Sequence, residues 1–119
     1  MISREYIYLN RILAFLVFLI SFIIYYDTMA PTVSYWDCGE FIAVAHTLGV
    51  PHPPGSPFFL LIGRIISMIP FAKDIAFRVN LLSPLSSALA VMFIYLIVVQ
   101  LVANWRSHSG QIIAPSADR

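Results

Sequence analysis

Asp37 and Glu40 stand three residues apart and are the two acids of this sequence best placed to act together. On a helix that spacing puts both on one flank, where they can address a single pocket. A carboxylate so placed can serve as a general base. Where a sugar is joined to a hydroxyl, it takes the acceptor's proton while charge builds on the departing phosphate. The same residues also have a plainer use, Asp37 as a helix cap and Glu40 as a solvated side chain, and spacing alone leaves both readings open.

His52 lies in Val50-Pro51-His52-Pro53-Pro54-Gly55-Ser56-Pro57, a strap whose four prolines stiffen the chain while Gly55 permits a sharp turn. Such a strap loses little entropy on ordering, so it can hold an imidazole within reach of a phosphate or a hydroxyl; the competing reading is a turn that merely delivers the chain into the next helix. His46 is a further candidate metal ligand beside Asp37, Glu40 and His52. The nine residues from Asp37 to His46, however, turn a helix through about 900°, which sets the two on opposite sides. No metal is expected.

Arg64 is the first Lys or Arg after Arg11. Its guanidinium can grip a phosphate through a fork of donors or pair structurally within a helix bundle. The phosphate reading is favoured, because anionic charge at membrane depth needs a permanent cation. Tyr35, Trp36, Phe58 and Phe59 read as an interfacial aromatic belt. A single cysteine, Cys38, excludes an intrachain disulfide and a thiolate metal cage.

The elements that must carry these residues are membrane elements. Of 119 residues 60% are hydrophobic and 11% charged, with a net charge of +1, and the mean hydropathy is +0.84. That balance excludes a soluble globular domain and gives no basic field for nucleic acid. Ile12–Tyr26 is uncharged and free of Gly and Pro, and extended back to Tyr6 it reaches the roughly 30 Å of a bilayer's hydrocarbon. Tyr25-Tyr26-Asp27 follows it where a signal peptide would have a small-residue cleavage site. The spacing therefore predicts a retained transmembrane helix over residues 6–27. Val79–Trp105 is uncharged between Arg78 and Arg106, with Pro84 in its first turns, and predicts another over residues 79–105.

Between them, the prolines forbid a regular helix before residue 56. Ser56 can cap and Pro57 suits the first helical position, so a short helix is expected from 57 to 70, where Pro70 ends it. With Arg64 at its centre, this third span needs partner helices to shelter the charge. Ser34-Tyr35-Trp36-Asp37 has the form of a capping box, and Phe41, Val44, Ala45 and Leu48 recur at helical spacing. A surface helix over about 35–48, ending near Gly49, is expected to lie along the membrane.

Arg4 and Arg11 precede the first span, and no Lys or Arg falls between residues 27 and 63. By the positive-inside rule the amino terminus is cytoplasmic and the loop 28–56 lies on the far side, periplasmic or lumenal. Ser107–Arg119 reads as a polar, helix-poor loop.

The run Tyr35-Trp36-Asp37-Cys38-Gly39-Glu40-Phe41-Ile42-Ala43, then Gly49-Val50-Pro51-His52-Pro53-Pro54-Gly55-Ser56-Pro57 and Leu61-Ile62-Gly63-Arg64, resembles a large membrane-protein family known as domain of unknown function 2723. Its bacterial members are similar to eukaryotic transmembrane O-mannosyltransferases that modify plexin-type ectodomains, and more distantly to the GT-C glycosyltransferases. In GT-C enzymes an essential acid in the first outer loop is followed by a surface helix and a His-Pro-Pro or Lys-Pro-Pro strap, and this chain has that order.

The resemblance implies that Asp37 is the catalytic aspartate, deprotonating a Ser or Thr hydroxyl as it attacks the anomeric carbon of a polyprenyl-phosphate sugar. It further implies that Glu40, which matches the pattern W-D-x-G-E-F, shares the catalytic site, and that His52 and Arg64 face the donor phosphate. Arg78-Val79-Asn80-Leu81 also looks like the family's next segment. One departure is Cys38, which follows Asp37 where the better-studied protein mannosyltransferases have glutamate.

The expectation is thus an all-α membrane protein with three transmembrane helices and an interfacial helix, the amino-terminal part of a GT-C-like multi-pass fold. It sits in the membrane, by resemblance the bacterial inner membrane. Its implied partners are lipid, a lipid-linked sugar donor, an exported acceptor protein and further transmembrane helices, with no cofactor beyond the donor. Alone it is expected to be inactive. The rival readings are a small helical subunit of a transporter or secretion complex, with Asp37 and Glu40 on a cation or proton path, and a plain structural anchor.

Overall fold

Runs of Leu, Ile and Phe set where helices form in the computed structural model, and prolines mark several of their boundaries. The structure describes residues 4–53 and 55–113, with side chains to residue 105. Among them every regular element is helical: α1 (Arg4–Thr28), α2 (Cys38–Thr47), α3 (Pro57–Met68), α4 (Ile75–Asn80) and α5 (Leu82–Ile113). They divide into two compact units, residues 22–87 and residues 1–21 with 88–119.

Two segments, Arg4–Thr28 and Ile75–Trp105, are long and apolar enough to cross a bilayer. The 25 residues of α1 rise about 37 Å. At its end Thr28 Oγ1 donates back to the carbonyls of Ile24 at 2.9 Å and Tyr25 at 3.4 Å. In the unit formed by residues 1–21 and 88–119, Ala14 and Ala88 are buried while large side chains such as Phe15, Ile20, Ile94 and Leu101 are exposed. A surface of that kind is at home in lipid or against other apolar helices. The chain is accordingly an integral membrane protein.

The expected third span is shorter than a bilayer. The 12 residues of α3 rise about 18 Å, against roughly 30 Å of hydrocarbon. Pro57 opens it as expected, yet Ser56 makes no side-chain cap bond, and the helix stops at Met68 because Pro70 holds Ile69 extended.

The expected 79–105 helix also has different ends. It starts earlier, at Ile75, where Asp74 Oδ1 accepts from the Ala76 N–H at 2.8 Å. It is interrupted at Leu81, since Pro84 has no N–H to give the Asn80 carbonyl four residues back. Leu81 keeps helical dihedrals, φ −59 and ψ −21, so the interruption is local. At the far end α5 continues to Ile113, so residues 107–113 are helical rather than the expected loop; no proline intervenes before Pro115, and an established helix propagates cheaply. Residues 114–119 of that expected loop lie outside the described residues.

Within residues 22–87, α2, α3 and α4 pack around Ile42, Ala76 and Val79, with Phe59 and Ile75 against them. Gly63 makes the close approach possible: a Cβ there would lie 3.0 Å from the Cβ of Ala45, itself fully buried. Arg78 ties the segment between α3 and α4 together, donating from Nε to the Ala72 carbonyl at 2.6 Å and from a terminal nitrogen to the Ser67 carbonyl at 2.9 Å. Tyr26 meets Phe77 edge-on with ring centres 6.1 Å apart.

Candidate functional site

The expected capping box at Ser34 does not form. Trp36 adopts a left-handed φ of 67, and α2 begins at Cys38 with Asp37 in the cap position. The Asp37 carboxylate makes no cap hydrogen bond, which frees it for another use. At the other end Leu48, not Gly49, takes the left-handed conformation, φ 56, and its N–H returns to the Val44 carbonyl.

One turn into α2, Glu40 reaches back across the strap. Its Oε1 accepts from the backbone N–H of His52 at 2.8 Å and its Oε2 from the ring Nδ1 at 2.7 Å. A carboxylate only accepts, so the imidazole carries a proton on Nδ1 and turns Nε2 outward. That nitrogen lies 3.8 Å from Asp37 Oδ2. The strap cooperates: Pro51 is buried, and Gly55, at φ +74, closes a turn by donating its N–H to the His52 carbonyl at 3.1 Å. The Phe41 ring stands edge-on to His52 with centres 6.0 Å apart.

The charges reinforce the geometry. The His52 N–H and ring hold Glu40 below the usual carboxylate range. The hydrogen bond to Glu40, then its charge and that of Asp37, push His52 above the usual imidazole range. The three side chains are partly exposed, 47% for His52, so solvent moderates these effects. Their ligating atoms fall within 4.8 Å of one another, a spacing that could admit a cation. In the observed arrangement, however, the direct Glu40–His52 contact occupies Nδ1 and both Glu40 oxygens.

Beside the trio opens a cavity of about 430 Å³, walled by Trp36, Phe41, Phe59 and Val79, with Asp37 its one charged lining residue. Asn80, also on that wall, donates through Nδ2 to the carbonyls of Ala30 at 3.0 Å and Thr32 at 2.9 Å, pinning the loop that leads to Asp37. Asn80 is not among the site residues that the sequence points to. The signal was an amide inside an otherwise apolar run, which rarely goes unpartnered.

The structure does not bring Arg64 to this group. Its guanidinium donates to the carbonyl of His46, near the carboxyl end of α2, roughly 14 Å along the helix from Asp37. There a cation meets free carbonyls and the negative end of the helix dipole. Next to it Ser67, buried, donates to the Arg64 carbonyl at 2.8 Å and pairs with His46 Nδ1 at 3.2 Å. His46 therefore points away from Asp37, as the helical turn requires.

Comparison with known proteins adds to this geometry. Residues 37–117 match the family described as the Protein O-mannosyl-transferase TMEM260 N-terminal domain. The chain is 43% identical over 91 residues, 75% of its length, to the "Protein O-mannosyl-transferase tmem260" of Dictyostelium discoideum. It is 44% identical over 79 residues, 66% of its length, to the "Protein O-mannosyl-transferase TMEM260" of Mus musculus. Each match spans 11% of the relative. No solved structure matches the chain.

Proposed function

Because this chain belongs to the TMEM260 N-terminal domain family of protein O-mannosyl-transferases, we propose that it supplies the base and the phosphate contact of a sugar transfer on the far side of the membrane. The donor is a polyprenyl-phosphate sugar, with mannose the sugar that the relatives' names suggest. The acceptor is a Ser or Thr hydroxyl of an exported protein. A lipid-linked phosphate sugar can be presented on the far face of the bilayer, where an exported acceptor is met.

In the step itself the acceptor oxygen attacks the anomeric carbon as the bond from that carbon to the phosphate oxygen breaks. Asp37 takes the hydroxyl proton, the bond electrons leave with the lipid phosphate, and His52 faces that growing charge. The anomeric centre inverts in a single displacement. The apolar cavity beside Asp37 suits the first prenyl units of the donor. Arg64 braces the end of α2 in this scheme, and the phosphate contact falls to His52.

One observation carries the reading: an uncapped Asp37 carboxylate at the cavity edge, 3.8 Å from an imidazole that a second acid holds in place. The remaining helices of a longer chain complete the pocket, so the 119 residues alone are expected to transfer nothing. The test is Asp37→Asn in the full-length protein, assayed for mannose transfer to a Ser/Thr peptide. Transfer should fall by roughly 10²–10⁴-fold with expression and unfolding unchanged. A variant as active as the native protein would refute the assignment, and loss of transport instead of transfer would point to the subunit reading.

A further inference from the structure

Resting on the transfer reaction proposed above, we infer that Glu40 is a positioning residue rather than a second base: its carboxylate clasps the His52 backbone and ring, and so presents Nε2–H to the donor phosphate beside Asp37. The two acids divide by what their oxygens are doing. Both Glu40 oxygens are taken, at 2.8 Å by the His52 backbone N–H and at 2.7 Å by Nδ1. Asp37 makes no cap bond, and its approach to His52 stops at 3.8 Å, beyond the roughly 3.2 Å of a hydrogen bond. An acid committed to two donors is a poor proton acceptor, and the other is free to act as one.

Two-point attachment also fixes more than one bond could. The backbone contact sets the height of the strap over α2, and the ring contact sets the rotation of the imidazole. Together they leave Nε2 as the ring's one open position, pointing into the gap before Asp37. A phosphate oxygen bonded to Nε2 would then sit near the hydroxyl that Asp37 deprotonates, which is the proximity that an in-line displacement requires.

The surroundings favour a cationic ring. The charged groups facing His52 are Glu40 and Asp37, both carried by α2 and its cap, and the strap itself contributes no acid or base other than His52. The Phe41 ring covers one side of the imidazole. Among the described residues no other cation pairs with either carboxylate. Raised proton affinity at His52 accords with this arrangement.

The experiment compares native full-length protein with Glu40→Gln in detergent micelles, using mannosyl-phosphoryl-polyprenol as donor and a Ser/Thr peptide as acceptor. Glutamine keeps an oxygen for the backbone N–H but loses the charge and the second acceptor. The donor KM should rise roughly tenfold to a hundredfold, the acceptor KM should stay, and the alkaline limb of the pH profile should move to lower pH. Glu40→Asp, which keeps the charge, should recover part of the loss. In parallel, the His52 ring signal is titrated by NMR, and Glu40→Gln should lower its midpoint.

A fall in kcat with unchanged donor KM and pH limb would make Glu40 a base and overturn the inference, as would an unmoved His52 midpoint. If the native protein transfers nothing while the His52 midpoint still drops, the transfer reading fails and the clasp stands.

Discussion

Replacing Gly63 with alanine tests whether the close approach of α2 and α3 holds the site together. An added Cβ would lie 3.0 Å from the Cβ of Ala45 and 3.7 Å from a methyl of Val79. Carbon atoms rest at roughly 3.5–4.0 Å, and Ala45 has no rotamer through which to withdraw, so the helices must part by about half an ångström. Such overpacking costs about 1–3 kcal/mol, while the gain in helix propensity returns about 1 kcal/mol, leaving a net loss of roughly 0–2 kcal/mol. The functional effect is larger, because Asp37 and Glu40 ride on α2 while the strap bearing His52 runs into α3. A misplacement of about 1 Å in such a constellation can cost 10²-fold in rate. Thermal unfolding in detergent and the transfer assay read the two effects. Adding Ala45→Gly to Gly63→Ala restores the native spacing, so a double-mutant cycle should give a favourable coupling of about 0.5 kcal/mol or more. A Gly63→Ala protein more stable than the native one, or a cycle with no coupling, would refute the packing argument.

Arg64→Met should leave the His46 carbonyl and the end of α2 without their cation and lower stability by about 1–3 kcal/mol with donor KM unchanged; a raised donor KM at native stability would return Arg64 to the phosphate. The Glu40–His52 clasp contributes stability fully between the ordinary carboxylate and imidazole values, roughly pH 4.3 to 6.5. That contribution is lost as pH rises through the raised His52 value and as it falls through the lowered Glu40 value. The unfolding difference between native protein and Glu40→Gln, followed across pH, should therefore peak in that window and shrink on both sides. Asn80→Ala should release the Ala30 and Thr32 carbonyls, and faster hydrogen exchange over residues 29–36 would register it. Chelation should leave the transfer rate unchanged, since the proposed step draws its base from Asp37 and its phosphate contact from His52; a rate lost on chelation and restored by a divalent cation would place a metal among Asp37, Glu40 and His52.

Much of this arrangement is legible in the sequence, for identifiable reasons. Uncharged, proline-free runs determine α1 and the body of α5, because a bilayer tolerates little else. Pro57 and Pro70 bracket α3 through their effects on the neighbouring backbone. The start of α2 is not legible in the same way. Ser34 has the right chemistry for a cap, but Trp36 turns left-handed and the helix starts at Cys38, a turn that no glycine or asparagine announces in the sequence. The pairing of Glu40 with His52 spans 12 positions, and no local pattern encodes which acid receives a strap histidine. Arg64 shows the limit most clearly. Its type and depth suggest an anion, while the partner it finds is a helix-end carbonyl, an anionic pole that every sequence carries and none displays.

Transfer from a lipid-borne donor to an exported acceptor requires Asp37, Glu40 and His52 to face the side of the membrane away from the cytosol. Cys38, exposed and adjacent to Asp37, is a native reporter of that side. Sealed vesicles with their cytosolic face outward, prepared from cells expressing the full-length protein, can be treated with a membrane-impermeant maleimide, with a Cys38→Ser variant showing which signal belongs to this residue. Cys38 is expected to be labelled only after the vesicles are opened. Labelling in the sealed vesicles would contradict that placement.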